Sequence, residues 1–223
     1  MKICYKNIGI ILIHGLGGGL SDVEPLSKKL KMLGYTVETP LLRGHTGIKE
    51  DMKKVTYQDW INDVENAYLS LKDKCQEIVL IGYSMGGLLS LQVANKFRVK
   101  GLITLNTSMF LGNFFNFSKR FIKDLIQFNI YHIKMLYTSI RKLSLKAHLN
   151  LKRLSKETKK IIPNINCEIL VSQSVSDEVL QYKSVNYLHK NVPCKIKKIL
   201  FYNKNEVIED VIVDTVKYIE ICS

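Results

Sequence analysis

Ile78-Val79-Leu80-Ile81-Gly82-Tyr83-Ser84-Met85-Gly86 is the stretch on which this chain's fold turns. Its first four residues form a short apolar run of the kind that makes a buried strand, and Gly87-Leu88-Leu89-Ser90-Leu91-Gln92-Val93-Ala94 continues beyond it as a helix. Ser84 therefore sits where a strand turns sharply into a helix, with glycines nearby that tolerate the backbone such a turn needs. The turn lifts the hydroxyl above the sheet edge and toward the helix N-terminus, which is the geometry of a nucleophile elbow. An ordinary strand–turn–helix junction can carry the same letters, so the flanking sequence has to discriminate.

Upstream, Ile10-Ile11-Leu12-Ile13-His14-Gly15-Leu16-Gly17-Gly18-Gly19 is a second apolar strand that ends in His-Gly and a glycine-rich loop. Such a loop turns backbone N–H groups inward. Paired with the elbow, the N–H of Leu16 and the N–H of Met85 would form an oxyanion hole for a tetrahedral acyl intermediate.

Further outward, strand-like runs fall near Ile8–Ile13, Tyr35–Thr39, Ile78–Ile81, Leu102–Leu105, Ile169–Val171 and Ile196–Phe201, separated by helical patterns. That alternation predicts an α/β fold with a mostly parallel central sheet flanked by helices. Ser21 with Glu24 reads as a capping box for a helix running to Leu33, stopped by Gly34 at the C′ position. Thr56 with Asp59 reads as another, opening the helix that carries Trp60, Val64 and Leu71. Trp60 is expected in the core rather than on a ligand. The closing helix, about 210 to 221, repeats apolar residues at helical intervals and should pack on a sheet face.

A chain of 223 residues with 46% hydrophobic content can bury one sizeable core. Cys4, Cys75, Cys167, Cys194 and Cys222 are odd in number and lack metal-ligand spacing, as expected of reduced thiols in a cytoplasmic protein. The apolar run at 8–13 is too short to span a membrane, and no targeting segment is evident.

With these motifs in place, the chain resembles the α/β-hydrolase superfamily, in particular its small bacterial carboxylesterases and monoacylglycerol-lipase-like members. The resemblance runs nearly end to end. It takes in His14-Gly15, Asp22-Val23, Gly34-Tyr35, Pro40 with Arg43-Gly44-His45, Asp59-Trp60, the elbow, and Asp177 after the strand Ile169-Leu170-Val171. It implies an α/β-hydrolase fold with a core domain of residues 1–107 and 165–223 and a small helical cap insertion of residues 108–164. It also implies acyl-ester hydrolysis through an acyl-Ser84 intermediate, with no metal or organic cofactor, on a small acyl-ester or lipid-like substrate.

Between Phe110 and Asn164 the chain carries twelve Lys or Arg against two acids, Asp124 and Glu157, which is most of its formal net charge of +13. Interleaved with Phe114, Phe115, Phe117, Phe121, Phe128 and Tyr131, this excess suits peripheral contact with an anionic membrane. A solvated lysine face on a lid is the plainer reading. No recognised nucleic-acid module appears, so no specific nucleic acid is expected.

A neutral serine hydroxyl needs a base, and imidazole oriented by a carboxylate is suited to the task. The resemblance makes Asp177 the acid member of the triad, with Glu178 an adjacent candidate; Asp177 would serve equally as a helix N-cap. The histidine of the family pattern should follow the last strand. That stretch reads Phe201-Tyr202-Asn203-Lys204-Asn205-Glu206, which puts Glu206 where histidine is expected, and no histidine follows His189. Three readings stay open. A histidine elsewhere substitutes, with His45, His132, His148 and His189 as candidates while His14 belongs to the oxyanion loop. Glu206 itself acts as a weak base. Or the protein is a non-catalytic member of the fold that binds an acyl, lipid or protein partner.

Overall fold

Along β1 (Ile8–Ile13), Ile8, Ile10 and Leu12 face one way and Ile11 and Ile13 the other, and both sets are buried. A strand covered on both faces reads as an unbroken apolar run, and β3 (Glu77–Tyr83) repeats the pattern with Val79 and Ile81 opposed to Ile78 and Leu80. The computed structural model describes residues 7–107, 109–110, 145–174, 178–193, 196–202 and 207–222. Within them, β1 and β3 are adjacent interior strands of a six-stranded sheet of order β2-β1-β3-β4-β5-β6, completed by β2 (Thr36–Glu38), β4 (Gly101–Leu105), β5 (Glu168–Ser174) and β6 (Ile196–Tyr202). Every pairing is parallel. The sheet is thus wholly rather than mostly parallel among the described residues.

Helices cover both faces. On one lie α1 (Leu20–Met32) and α7 (Val207–Cys222), which contribute Val23, Leu26, Leu30, Tyr218 and Ile219 to a core with Ile10, Leu12 and Ile103. On the other lie α2 (Lys49–Lys54), α3 (Tyr57–Lys72), α4 (Met85–Lys96), α5 (Leu145–Ile161) and α6 (Glu178–Asn191), whose Met52, Trp60, Leu88, Leu154 and Leu188 join the larger core. The closing helix packs on the sheet as expected. The predicted strands all form; β2 is the shorter because it is an edge strand paired only at Thr36, Val37 and Glu38, and Pro40 just beyond has no N–H to extend the ladder.

Helix termini test the local readings. Thr56 caps α3 in a full capping box: its hydroxyl accepts from the Asp59 N–H while the Asp59 carboxylate accepts from the Thr56 N–H at 2.8 Å. The Ser21–Glu24 box does not form. Ser21 lies inside α1, whose N-cap is Gly19 in an extended conformation, and the first turn is closed by the Asp22 N–H donating to the Gly19 carbonyl at 3.2 Å. Pro25 inside α1 has no N–H for the Ser21 carbonyl, so a start at Ser21 would spend its first turn without that bond. Gly34 ends α1 at φ 92, with its own N–H on the Lys31 carbonyl and the Tyr35 N–H on the Leu30 carbonyl, a Schellman motif.

Helix α5 docks on α4 through Ala147, Leu154 and Thr158, and is bonded across by Gln92 Nε2 to Thr158 Oγ1 at 3.0 Å and by Ser155 Oγ to the Met109 carbonyl at 2.8 Å. Residues 111–144, the greater part of the expected cap, lie outside the described residues.

Candidate active site

The tight turn from β3 into α4 at Ser84 forms because three glycines allow α4 to begin hard against the sheet. A side chain at Gly82 would collide with the backbone of Gly86 and Gly87; one at Gly86 would collide with the Ile13 carbonyl; one at Gly87 would collide with Thr107. With that space left empty, β3 turns into α4 within one residue. Ser84 takes the strain, at φ 53 and ψ −113. This is backbone that a residue with a side chain rarely adopts, at a cost on the order of 1–3 kcal/mol, and it persists because the surroundings over-determine it. Two bonds fix it: the Ser84 N–H donates to the Leu105 carbonyl, and the Gly87 N–H donates to the Ser84 carbonyl at 3.1 Å.

The serine side chain is half-buried, and its hydroxyl has no hydrogen-bond partner among the described residues. The loop after β1 passes directly beside it, so that a Cβ at Gly15 would stand 3.2 Å from the Ser84 Cβ. Neither the Leu16 N–H nor the Met85 N–H has an acceptor among the described residues. Met85 is the first residue of α4, where no intrahelical acceptor exists and the helix dipole favours negative charge. Ser84, Leu16 and Met85 therefore lie together at one edge of the sheet.

The histidines are disposed otherwise. His14 is fully buried; its Nδ1 donates to the Gly15 carbonyl at 2.9 Å and its Nε2 accepts from the Leu42 N–H at 3.2 Å. The neutral ring thus ties the glycine loop to the segment after β2. His45 packs edge-on against it with ring centroids 4.8 Å apart, and Trp60 packs on the other side of His45 at 5.9 Å. His45 Nδ1 donates to the Leu42 carbonyl at 3.2 Å, while its Nε2 is buried without a partner among the described residues. Burial, and after it the neighbouring His14, push the His45 imidazole down to about 4, and burial likewise lowers His14. His189 stands in the last turn of α6, which returns from the Ser84 edge of the sheet to the opposite edge before β6. His148, in the first turn of α5, is half-buried and shifted down by burial and by Lys152. No described histidine is bonded to the Ser84 hydroxyl. His132, Asp177 and Glu206 lie outside the described residues.

Two groups of polar residues escaped the sequence reading. Arg43 grips α3 as a fork: its N–H and Nε each meet the Asp63 carboxylate at 2.7 Å and its Nη1 meets Asp59 at 2.9 Å. The Asp59–Asp63 spacing puts both carboxylates on one helix face, but only the fold brings that face to Arg43. At the ends of β4 and β5, Asn106 sits at φ 51 and accepts from Gln173 Nε2 at 3.4 Å, and its side chain also bonds Tyr83. An asparagine directly after a strand is a left-handed-turn signal. Burial first, then the charge of Asp22, raise the Tyr83 phenol.

The alpha/beta hydrolase fold family matches residues 9–205 of the chain. The thermostable monoacylglycerol lipase of Bacillus sp. (strain H-257) is 29% identical over 204 residues, which cover 86% of this chain and 80% of that protein. The carboxylesterase of Bacillus subtilis (strain 168) is 32% identical over 101 residues, covering 45% of this chain and 41% of that one. In three dimensions, the crystal structure of the Paleococcus ferrophilus monoacylglycerol lipase superposes with a TM-score of 0.74 at 14% identity, over 99% of this chain and 96% of that one.

Proposed function

Since the chain belongs to the alpha/beta hydrolase fold family, we propose that it is a carboxylic-ester hydrolase of the esterase and lipase type, acting on a small acyl-ester or lipid-like substrate. The observation that carries this reading is the strained Ser84 with an unengaged hydroxyl, set beside the unengaged N–H groups of Leu16 and Met85. The similarity to a monoacylglycerol lipase over most of both chains supports the substrate class.

In this mechanism Ser84 Oγ attacks the ester carbonyl carbon and loses its proton to a base. The oxygen of the tetrahedral intermediate takes the electron pair and is held by the Leu16 and Met85 N–H groups, which as fixed backbone donors lower the cost of reorganisation. Collapse expels the alcohol, which receives the proton, and leaves acyl-Ser84. Water, deprotonated by the same base, then releases the carboxylic acid. Asp177, which follows β5 in sequence, is the acid member, and Glu206, between β6 and α7, stands at the base position. A carboxylate is a weak base toward a serine hydroxyl, so turnover is slow; the oxyanion hole and binding alone supply about 10³- to 10⁴-fold acceleration over water. In this reading the segment between β4 and α5 supplies a cap over an apolar pocket, and the basic excess of residues 108–164 suits an anionic lipid surface.

A second reading, a non-catalytic binding member of the fold, is favoured by one observation: no described histidine bonds Ser84. Turnover of p-nitrophenyl butyrate separates the two. Hydrolysis by the wild-type protein that falls to the uncatalysed rate in Ser84→Ala supports the esterase; wild-type and Ser84→Ala proteins that are equally inert to the ester leave the binding reading.

A further inference from the structure

We infer that the solvent-facing side of α5 docks the protein on an anionic lipid surface, with the Ser84 edge of the sheet turned toward the lipid.

Helix α5 presents two opposite faces. Ala147, Asn150, Leu154, Ser155 and Thr158 are buried against the core. Opposite them, at spacings of three and four residues, Leu145, Leu149, Lys152, Arg153, Lys156 and Lys160 are all exposed. The helix carries six cations against a single acid, Glu157, whose partner is Lys160. Lys159 is turned away from this stripe, with its ammonium 3.9 Å from the centre of the Phe110 ring.

The stripe is graded along its length. Leu145 and Leu149, 64% and 47% exposed, occupy the first turns, and the cations follow. In an all-parallel sheet a helix that leads into the start of β5 begins at the opposite edge, where β3 and β4 end, and that is the edge of Ser84. The apolar end of the stripe therefore lies on the side where substrate would enter. Exposed leucines at one end with lysine and arginine behind them match an interface in which the former reach the acyl boundary and the latter meet headgroup phosphates and carboxylates. A soluble acidic protein or a nucleic acid would satisfy the charges and leave the leucines in water.

The orientation rests on the ester-hydrolase reading; the binding does not, and it is measured without turnover. The test is co-sedimentation of the full chain with vesicles of phosphatidylcholine alone or with roughly a third phosphatidylserine. The expected result is preferential binding to the anionic vesicles, weakened by high salt. Lys152→Glu, Arg153→Glu and Lys156→Glu together should reduce it by about 10²-fold. The matched change Lys28→Glu, Lys29→Glu and Lys31→Glu on α1 should leave it nearly intact. Leu145→Ser with Leu149→Ser should reduce it several-fold with charge unchanged. Equal losses from the two charge reversals would overturn the inference in favour of general attraction. So would wild-type protein that stays in the supernatant with anionic vesicles, including protein that binds an RNA oligonucleotide in their place.

Discussion

The Ser84 N–H donates to the Leu105 carbonyl at 2.8 Å, and this bond from the neighbouring strand holds the serine at its positive φ. Glycine adopts that backbone readily and alanine does not. Ser84→Gly should therefore be more stable than Ser84→Ala by about 1 kcal/mol, although both lack the nucleophile. Urea denaturation midpoints compare them directly.

The elbow also depends on close approach. In Gly86→Ala the new methyl meets the Ile13 and His14 carbonyls, at the end of interior strand β1 and just beyond it, which cannot retreat. A loss of about 3 kcal/mol or more is expected. Gly19→Ala is the control, because nothing lies within 4 Å of a Cβ there; its stability should change by less than about 0.5 kcal/mol.

Acid should destabilise the fold through His45. Its folded-state value of about 4 lies below the ordinary imidazole value of 6.5, so between those pH values the unfolded chain binds a proton that the folded chain refuses. Stability is complete above the upper value and is lost as pH falls, by on the order of 3 kcal/mol at the lower one. His14, also shifted down, adds in the same direction. Asp59 is lowered too, by its bonds from Thr56, but from a carboxylate value of 3.8, so its loss falls below this window. Thermal melts of wild type and His45→Asn over this range check it; the variant's curve should be flatter.

Restoring an imidazole at the proposed base position should raise activity. Glu206→His is expected to increase p-nitrophenyl butyrate turnover at least tenfold, within the range that general base catalysis contributes. A folded variant with no gain would count against placing residue 206 opposite Ser84.

Much of this architecture was legible because the parallel strands are buried on both faces. Ile10 to Ile13 and Ile78 to Ile81 must be apolar throughout, and a run of that kind stands out without any periodicity. The glycines of the β3–α4 turn and the Thr56–Asp59 cap were equally legible, since each residue type answers a local backbone demand. The start of α1 was not. The capping letters at Ser21 and Glu24 compete with a glycine loop that begins the helix earlier, and Pro25 lacks the N–H that a start at Ser21 would call on. The pairing of His14 with His45, and of Arg43 with Asp59 and Asp63, joins segments far apart in sequence, so no single stretch announces it.

Ser84 poised for covalent attack, as proposed, should be visible by intact-mass measurement after incubation with a fluorophosphonate. A single phosphonyl adduct on the wild-type protein, located to Ser84 and missing from Ser84→Ala, is the predicted result. A wild-type protein that stays unmodified, or that reacts no faster than Ser84→Ala, would contradict it.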